Sequence, residues 1–256
     1  MFEKELKEFW KNEERKAHIH GWDFSYIKDR YKNYSLPWDY ESVVREYLKD
    51  RDSLLDIDTG GGEFLLSLKH PFEKTSATEG YAPNVDLCKK VLLPLGIDFR
   101  QTDDYANLPF EKDSFDVIIN RHGNYDIDEI YRILKQNGVF ITEQVGEDNE
   151  RDLVELLLPG EPKKFHGLNL RDQKEKFLSK GFSVLYSDEA FTTIEFFDIG
   201  ALVWFAKIIE WEFSGFSVEK HFSNLLNAQS ILEKNGSVKG TTHRYIIAAK
   251  KSNRIL

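Results

Sequence analysis

The stretch Leu54-Leu55-Asp56-Ile57-Asp58-Thr59-Gly60-Gly61-Gly62-Glu63 is a short apolar run that breaks into glycines and resumes as a helical pattern through residue 68. Such a run ending in a flexible turn reads as a buried strand feeding a helix. Just upstream, Val43, Val44, Tyr47 and Leu48 have helical spacing over residues 41–48. Downstream, the pattern predicts strands at 75–78, 98–101, 115–120 and 139–143, with helices at 84–92 and 126–135. The second of these helices is expected to stop at Asn137-Gly138, a fitting C-terminal cap. Strand and helix alternate throughout, which implies right-handed crossovers, a mostly parallel sheet and ligands bound at the carboxyl ends of its strands.

The flanks differ. Residues 3–16 form a charged helical pattern, and Trp10, Trp22 and Trp38 place three of the five tryptophans in the first forty residues. Aromatics at that density need a surface to pack on. Residues 1–40 are therefore expected to form a helical lid at the ligand end of the sheet, with a static packing helix as the competing reading. The main domain would span 41–256. After residue 146 the pattern is irregular to 168, then gives a helix at 170–180, strands at 182–186 and 191–197, helices at 199–211 and 218–234, and a last strand at 244–250. Residues 191–239 read as an insertion, a common place for substrate recognition. Within it, Trp204, Phe205, Ile208, Ile209 and Trp211 are most simply a core helix; an acceptor pocket or a dimer face is the alternative.

Composition bounds the function. With 256 residues, 41% hydrophobic and 31% charged, the chain is an ordinary globular one. No stretch reaches the roughly 20 apolar residues of a membrane helix, and Lys207 and Glu210 interrupt the longest candidate. No secretory signal opens the chain, so a cytoplasmic location is expected. Cys88 is the only cysteine, which excludes an intrachain disulfide and cysteine-based zinc sites. His18 and His20 lack a nearby third ligand, so no metal site is expected. A net charge of -9 and a pI of about 5.4 disfavour nucleic acid as a partner.

Three ligand classes compete for the glycine turn. A phosphate-gripping loop would need Gly-Lys-Ser/Thr, which is absent. A dinucleotide would set its pyrophosphate where Asp58 and Glu63 repel it. S-adenosyl-methionine carries a sulfonium and an ammonium group and no phosphate, which suits a loop lined by Asp56, Asp58 and Glu63. Glu79 follows the second strand, where a carboxylate can accept from a ribose diol. Asp104 follows the third, where it can accept from an adenine amino group, with Asp103 as its backup. Taken singly, each acid could equally be a solvated loop residue.

At these residues the sequence resembles the class I adenosyl-methionine-dependent methyltransferases, especially the type 11 subset similar to ubiquinone and menaquinone biosynthesis enzymes. The family's glycine motif is matched by Asp56 through Gly62. Its Asp-x-x-x-Leu-Pro-Phe motif is matched by Asp104 through Phe110, followed by Ser114-Phe115-Asp116-Val117-Ile118. Its Glu-x-x-Arg-x-Leu-Lys-x-x-Gly segment is matched by Glu129 through Gly138. The resemblance covers residues 53 to about 145, and Asp58 departs from it by standing where the family usually has its first glycine. It implies a doubly wound, Rossmann-like α/β sheet of seven strands, with residues 244–250 as an antiparallel last strand between its neighbours. It also implies that Asp56, Asp58, Thr59, Gly60, Gly62, Glu79, Gly80, Asp104, Tyr105, Asn120 and Arg121 contact S-adenosyl-methionine, with Tyr105 offering its backbone amide to adenine and its ring to the cofactor.

Methyl transfer needs alignment and often a base for the incoming nucleophile. Asn120-Arg121-His122 follows the fourth strand, and His122 is the base candidate because its ordinary pKa lies near neutrality. The competing reading is a packing histidine that moves no proton. Arg121 could hold an anionic acceptor or pair with a loop acid. The expectation is a methyltransferase acting on a small molecule; an RNA methyltransferase and a non-catalytic cofactor-binding protein are the alternatives.

Overall fold

The computed structural model describes residues 3–19 and 23–252; His20 and Trp22, singled out above, lie outside them. The chain divides into two compact units, one of Met1–Leu36, Glu147–His166 and Ala190–His243, the other of Pro37–Gly146, Gly167–Glu189 and Arg244–Leu256.

The larger unit holds the predicted alternation. In chain order it contains α2 (Tyr40–Tyr47), β2 (Leu54–Ile57), α3 (Glu63–Ser67), β3 (Thr75–Glu79), α4 (Ala82–Val91), β4 (Asp98–Gln101), β5 (Phe115–Arg121), α5 (Ile127–Ile133), β6 (Leu134–Val145) and α7 (Leu170–Ser179). Two long strands, β7 (Phe182–Phe196) and β8 (Val238–Lys251), have residues in both units. The smaller unit adds α1 (Glu3–Lys16), β1 (Tyr31–Asn33), α6 (Arg151–Leu157), α8 (Ile199–Ile208) and α9 (Phe222–Asn235).

Hydrogen-bonded neighbours follow the order β1-β7-β8-β6-β5-β2-β3-β4. Strands β4, β3, β2, β5 and β6 are parallel, and β8 is antiparallel to β6. The expected seven strands are joined by an eighth, β1, which pairs Tyr31–Asn33 with residues 194–196 of β7. Three residues with mixed burial carry no periodic signal, so β1 was invisible in the sequence. Because the chain leaves β2 towards β3 on one side and returns to β5 on the other, a crevice opens at the carboxyl ends of β2 and β5.

Alternation along the strands builds two cores in the larger unit. Leu54, Ala77, Val117, Ile119 and Ile141 pack with Val44, Leu65, Val85 and Cys88. Leu55, Ile57, Ile118 and Phe140 pack with Ile130, Ile133 and Phe177. Each fully buried Leu, Ile or Val contributes about 1.5–3 kcal/mol, so the strand ends are held rigidly. Two of the sequence motifs meet here. Glu129 accepts from Leu108 N at 2.7 Å and Arg132 donates to Phe110 O at 2.8 Å, so α5 clamps the Leu-Pro-Phe loop that follows β4.

Several boundaries differ from expectation. Helix α5 ends at Ile133 rather than running to Lys135, because Leu134 turns extended and pairs with Phe115. Gly138 is not a left-handed cap. Asn137 takes that conformation, and Gly138 is small because a Cβ there would lie 2.8 Å from Leu134 Cδ2. The irregular stretch after residue 146 contains α6, and the two strands expected at 182–186 and 191–197 are the single strand β7.

The smaller unit has its own core, in which Leu153, Leu157, Phe196, Leu202, Trp204 and Leu225 are buried together. Trp10 of α1 is buried there and meets Phe222 at 5.7 Å between ring centroids. Arg30 ties this unit together, reaching Glu13 at 2.8 Å and both carboxylate oxygens of Asp198. The apolar helix expected at 199–211 is α8, a core helix as read; Trp211 lies beyond its end and is exposed. Residues 1–36 of the segment expected as a lid and the whole expected insertion thus belong to one compact unit together with residues 147–166, while residues 37–40 belong to the larger unit.

Candidate functional site

All of the expected site residues lie in the larger unit, and they fall into two groups at the strand ends. The first surrounds the glycine turn. Glu79 ends β3, and its carboxylate bridges two loops: Oε2 accepts from Gly60 N at 2.9 Å, while Oε1 accepts from Gly80 N at 2.9 Å and Tyr81 N at 2.8 Å. Thr59 N donates to Thr78 O and Thr59 Oγ1 to Asp56 Oδ2 at 2.6 Å, which folds the turn back on the strands. Gly62 caps α3 in a left-handed conformation (φ 85°), and a Cβ there would meet Leu92 at 2.8 Å, so glycine is required on both counts.

Asp58 also adopts a left-handed conformation, with φ 56°. Aspartate tolerates it better than most residues, which is how the turn accepts an acid in place of glycine. Its carboxylate receives the Tyr105 hydroxyl at 2.7 and 2.9 Å and Asn124 N at 3.2 Å. Asp58 thereby joins the loops that follow β2, β4 and β5. Gly123 makes room for it, since a Cβ at that position would sit 2.5 Å from Asp58 Cβ. Asp104 turns onto its own loop, accepting from Ala106 N and Asn107 Nδ2.

This group is rich in negative charge. Burial pushes the Asp56 carboxyl up to about 7 against its hydrogen bond from Thr59, and the charges of Asp58 and Glu79 add to the rise. Burial likewise raises Asp58. The Cys88 thiol, which donates to Gly60 O at 3.1 Å, is pushed up to about 12 by burial and by the neighbouring acids, so it stays neutral behind the turn. Among the described residues, no lysine or arginine contributes to the electrostatics of Asp56 or Asp58. No group of three or more metal-ligating side chains is found among the described residues either.

The second group lies at the ends of β5 and β6 and centres on Glu143, a residue the sequence reading passed over as the end of a strand. Glu143 is 1% exposed. Its Oε1 receives Arg121 Nε at 2.9 Å and faces His122 Nε2 at 3.3 Å, and its Oε2 receives Trp38 Nε1 at 2.7 Å. Burial would raise this carboxyl, but His122, Arg121 and Trp38 together hold it at about 2. Parallel pairing of β5 with β6 sets Arg121 opposite Glu143, so strand register builds the cluster. Asn120 is a buried brace: its Nδ2 donates to Ile57 O, and its Oδ1 accepts from Thr142 and Gln144. The one signal that could have exposed Glu143 is a charged residue directly after the run Val139-Phe140-Ile141-Thr142.

Comparison with known proteins agrees with this geometry. Residues 55–142 match the family model described as a methyltransferase domain. Over 98 residues the chain is 33% identical to the phthiotriol/phenolphthiotriol dimycocerosates methyltransferase of Mycobacterium tuberculosis, a match covering 36% of this chain and 36% of that protein. The chain thus spans about a third of the length of the curated relatives it matches. Among solved structures, it is similar in fold to a protein of Bacillus halodurans C-125 assigned as a methyltransferase, with a TM-score of 0.60, 16% identity and coverage of 84% of this chain and 99% of that one. A protein of Galdieria sulphuraria assigned as a sarcosine dimethylglycine methyltransferase aligns with a TM-score of 0.51 and 17% identity, over 84% of this chain and 83% of that one. Residues 55–142 thus match a methyltransferase domain, and the sheet that holds them has a Rossmann-like α/β fold.

Proposed function

We propose that the protein transfers a methyl group from S-adenosyl-methionine to a small-molecule acceptor, in the cytoplasm and without nucleic acid or membrane as a partner. The observation that carries this reading is the acidic cluster at the crevice, buried Asp56 and Glu79 with half-buried Asp58, in which no lysine or arginine among the described residues acts on Asp56 or Asp58. Leaving such charges uncompensated is costly unless a cationic ligand completes the site. A sulfonium and an ammonium group fit that requirement, while the pyrophosphate of a dinucleotide does not.

In this reading Asp56, Asp58, Thr59, Gly60 and Gly62 form the floor for the methionine portion, Glu79 with Gly80 takes the ribose, and Asp104 with Tyr105 takes the adenine. Bound there, the cofactor supplies a methyl group activated for displacement by its positively charged sulfur. Asn120 and Arg121 border the crevice at the end of β5. His122 accepts a proton from the acceptor's O–H, N–H or S–H group. Residues 1–40 remain our candidate for a segment that responds to ligand by excluding water.

A screen of small-molecule metabolites and RNA with methyl-labelled cofactor tests the reading. Label should appear on a small molecule. Transfer to RNA alone would replace the acceptor class, and cofactor binding with no transfer to any class would favour a non-catalytic binding protein.

A further inference from the structure

We propose that Glu143 is a positioning residue that fixes His122 as the Nε2–H tautomer and so leaves Nδ1 as the proton-accepting nitrogen. The inference rests on the reading of His122 as the base, and it adds which nitrogen acts and what selects it.

Three observations carry it. Glu143 is buried at the end of β6 with its Oε1 3.3 Å from His122 Nε2. A neutral imidazole has one N–H and one lone pair, and a lone pair turned towards a carboxylate at that distance is repelled, so the proton belongs on Nε2. The position of the ring is also imposed by the backbone. His122 has φ 60°, unusual for a residue with a side chain, and its N–H donates to Glu143 O at 2.9 Å. Strain of this kind persists only where the surroundings enforce it, and it clusters at functional sites. Finally, the carboxylate is itself anchored from a third element, since Trp38, preceding α2, donates to its other oxygen at 2.7 Å.

The charges around the ring explain why it stays neutral enough to act as a base. Partial burial lowers the His122 pKa, Glu143 raises it, and the guanidinium groups of Arg244 on β8 and Arg121 on β5 lower it again. Without the carboxylate, only the lowering influences remain. The ring would then be a weaker base with no partner to choose its tautomer.

The test needs neither acceptor nor methyl donor. The full chain, carrying 15N-labelled histidine, is titrated by NMR, with His122→Asn used to assign the resonance. The proposal expects the Nε2–H tautomer in the native protein. In Glu143→Gln the His122 midpoint should fall by about one pH unit, the scale for losing one nearby opposite charge, and the tautomer should become mixed. Trp38→Phe, which keeps the carboxylate, should leave the tautomer unchanged. A native Nδ1–H tautomer overturns the proposal by itself, whether or not Glu143→Gln folds. An unmoved midpoint and tautomer in a folded Glu143→Gln overturns it as well. Because methyl transfer is not measured, failure here is distinct from failure of the methyltransferase reading.

Discussion

Two clusters of buried acid stand at neighbouring strand ends and are treated in opposite ways. Around the glycine turn, Asp56, Asp58 and Glu79 crowd together, and Asp56 is pushed up to about 7, chiefly by burial. At the ends of β5 and β6, Glu143 is buried as deeply and yet held at about 2, because Arg121, His122 and Trp38 all face it. A carboxylate that is already satisfied is an organiser of other side chains. One left facing its own kind is poised for a ligand, and the sign of that ligand's charge follows from the mismatch.

The sharpest way to break this contrast is catalytic. With an acceptor in hand, His122→Asn should lower turnover by about 10² to 10⁴ while cofactor affinity is largely preserved. Equal losses in both would make His122 a packing residue and reduce the second cluster to scaffolding.

The two acids should also respond to pH with opposite sign. Asp56 is raised from 3.8 to about 7, so the folded state holds its proton more tightly, and its contribution to stability is lost as pH rises across that window. Glu143 is lowered from 4.5 to about 2, so its contribution is complete above 4.5 and is lost as pH falls towards 2. As upper bounds the windows correspond to about 4 kcal/mol for Asp56 and about 3 kcal/mol for Glu143. Urea unfolding of Asp56→Asn and Glu143→Gln against the parent protein should show differences that change with pH in opposite directions; parallel profiles would dissolve the comparison.

Smaller effects sharpen it within the first cluster. Glu79→Ala removes the acceptor for three backbone N–H groups and should weaken cofactor binding by about 1–3 kcal/mol by calorimetry. Asp58→Asn keeps an acceptor for the Tyr105 hydroxyl and removes one negative charge. It should cost about 0.5–1.5 kcal/mol more in binding the sulfonium cofactor than in binding its neutral, demethylated product. An equal loss for both ligands would mean that Asp58 acts by shape alone.

How far the sequence revealed this depends on what each residue signals locally. The strands β2 to β6 and the glycine turn were legible because apolar period, turn chemistry and acids at strand ends coincide within a few residues. The overrun of α5 has a physical source: residues 134–137 have a helical composition, but pairing of Leu134 with Phe115 outweighs it. Glu143 was passed over because its partners Trp38, Arg121 and His122 come from other elements, and only strand register unites them. The core of the smaller unit is assembled from three separated segments, so Phe222, the ring beside Trp10, is remote from it in sequence and carries no local signal.

The central claim, that the acid-lined turn is a site for a cationic methyl donor, is tested most directly by calorimetry of the native protein at pH 8, where Asp56 is ionised. S-adenosyl-methionine should bind, and Glu79→Ala should weaken it. Preferential binding of NAD or ATP, or no difference between the native protein and Glu79→Ala, would contradict the account.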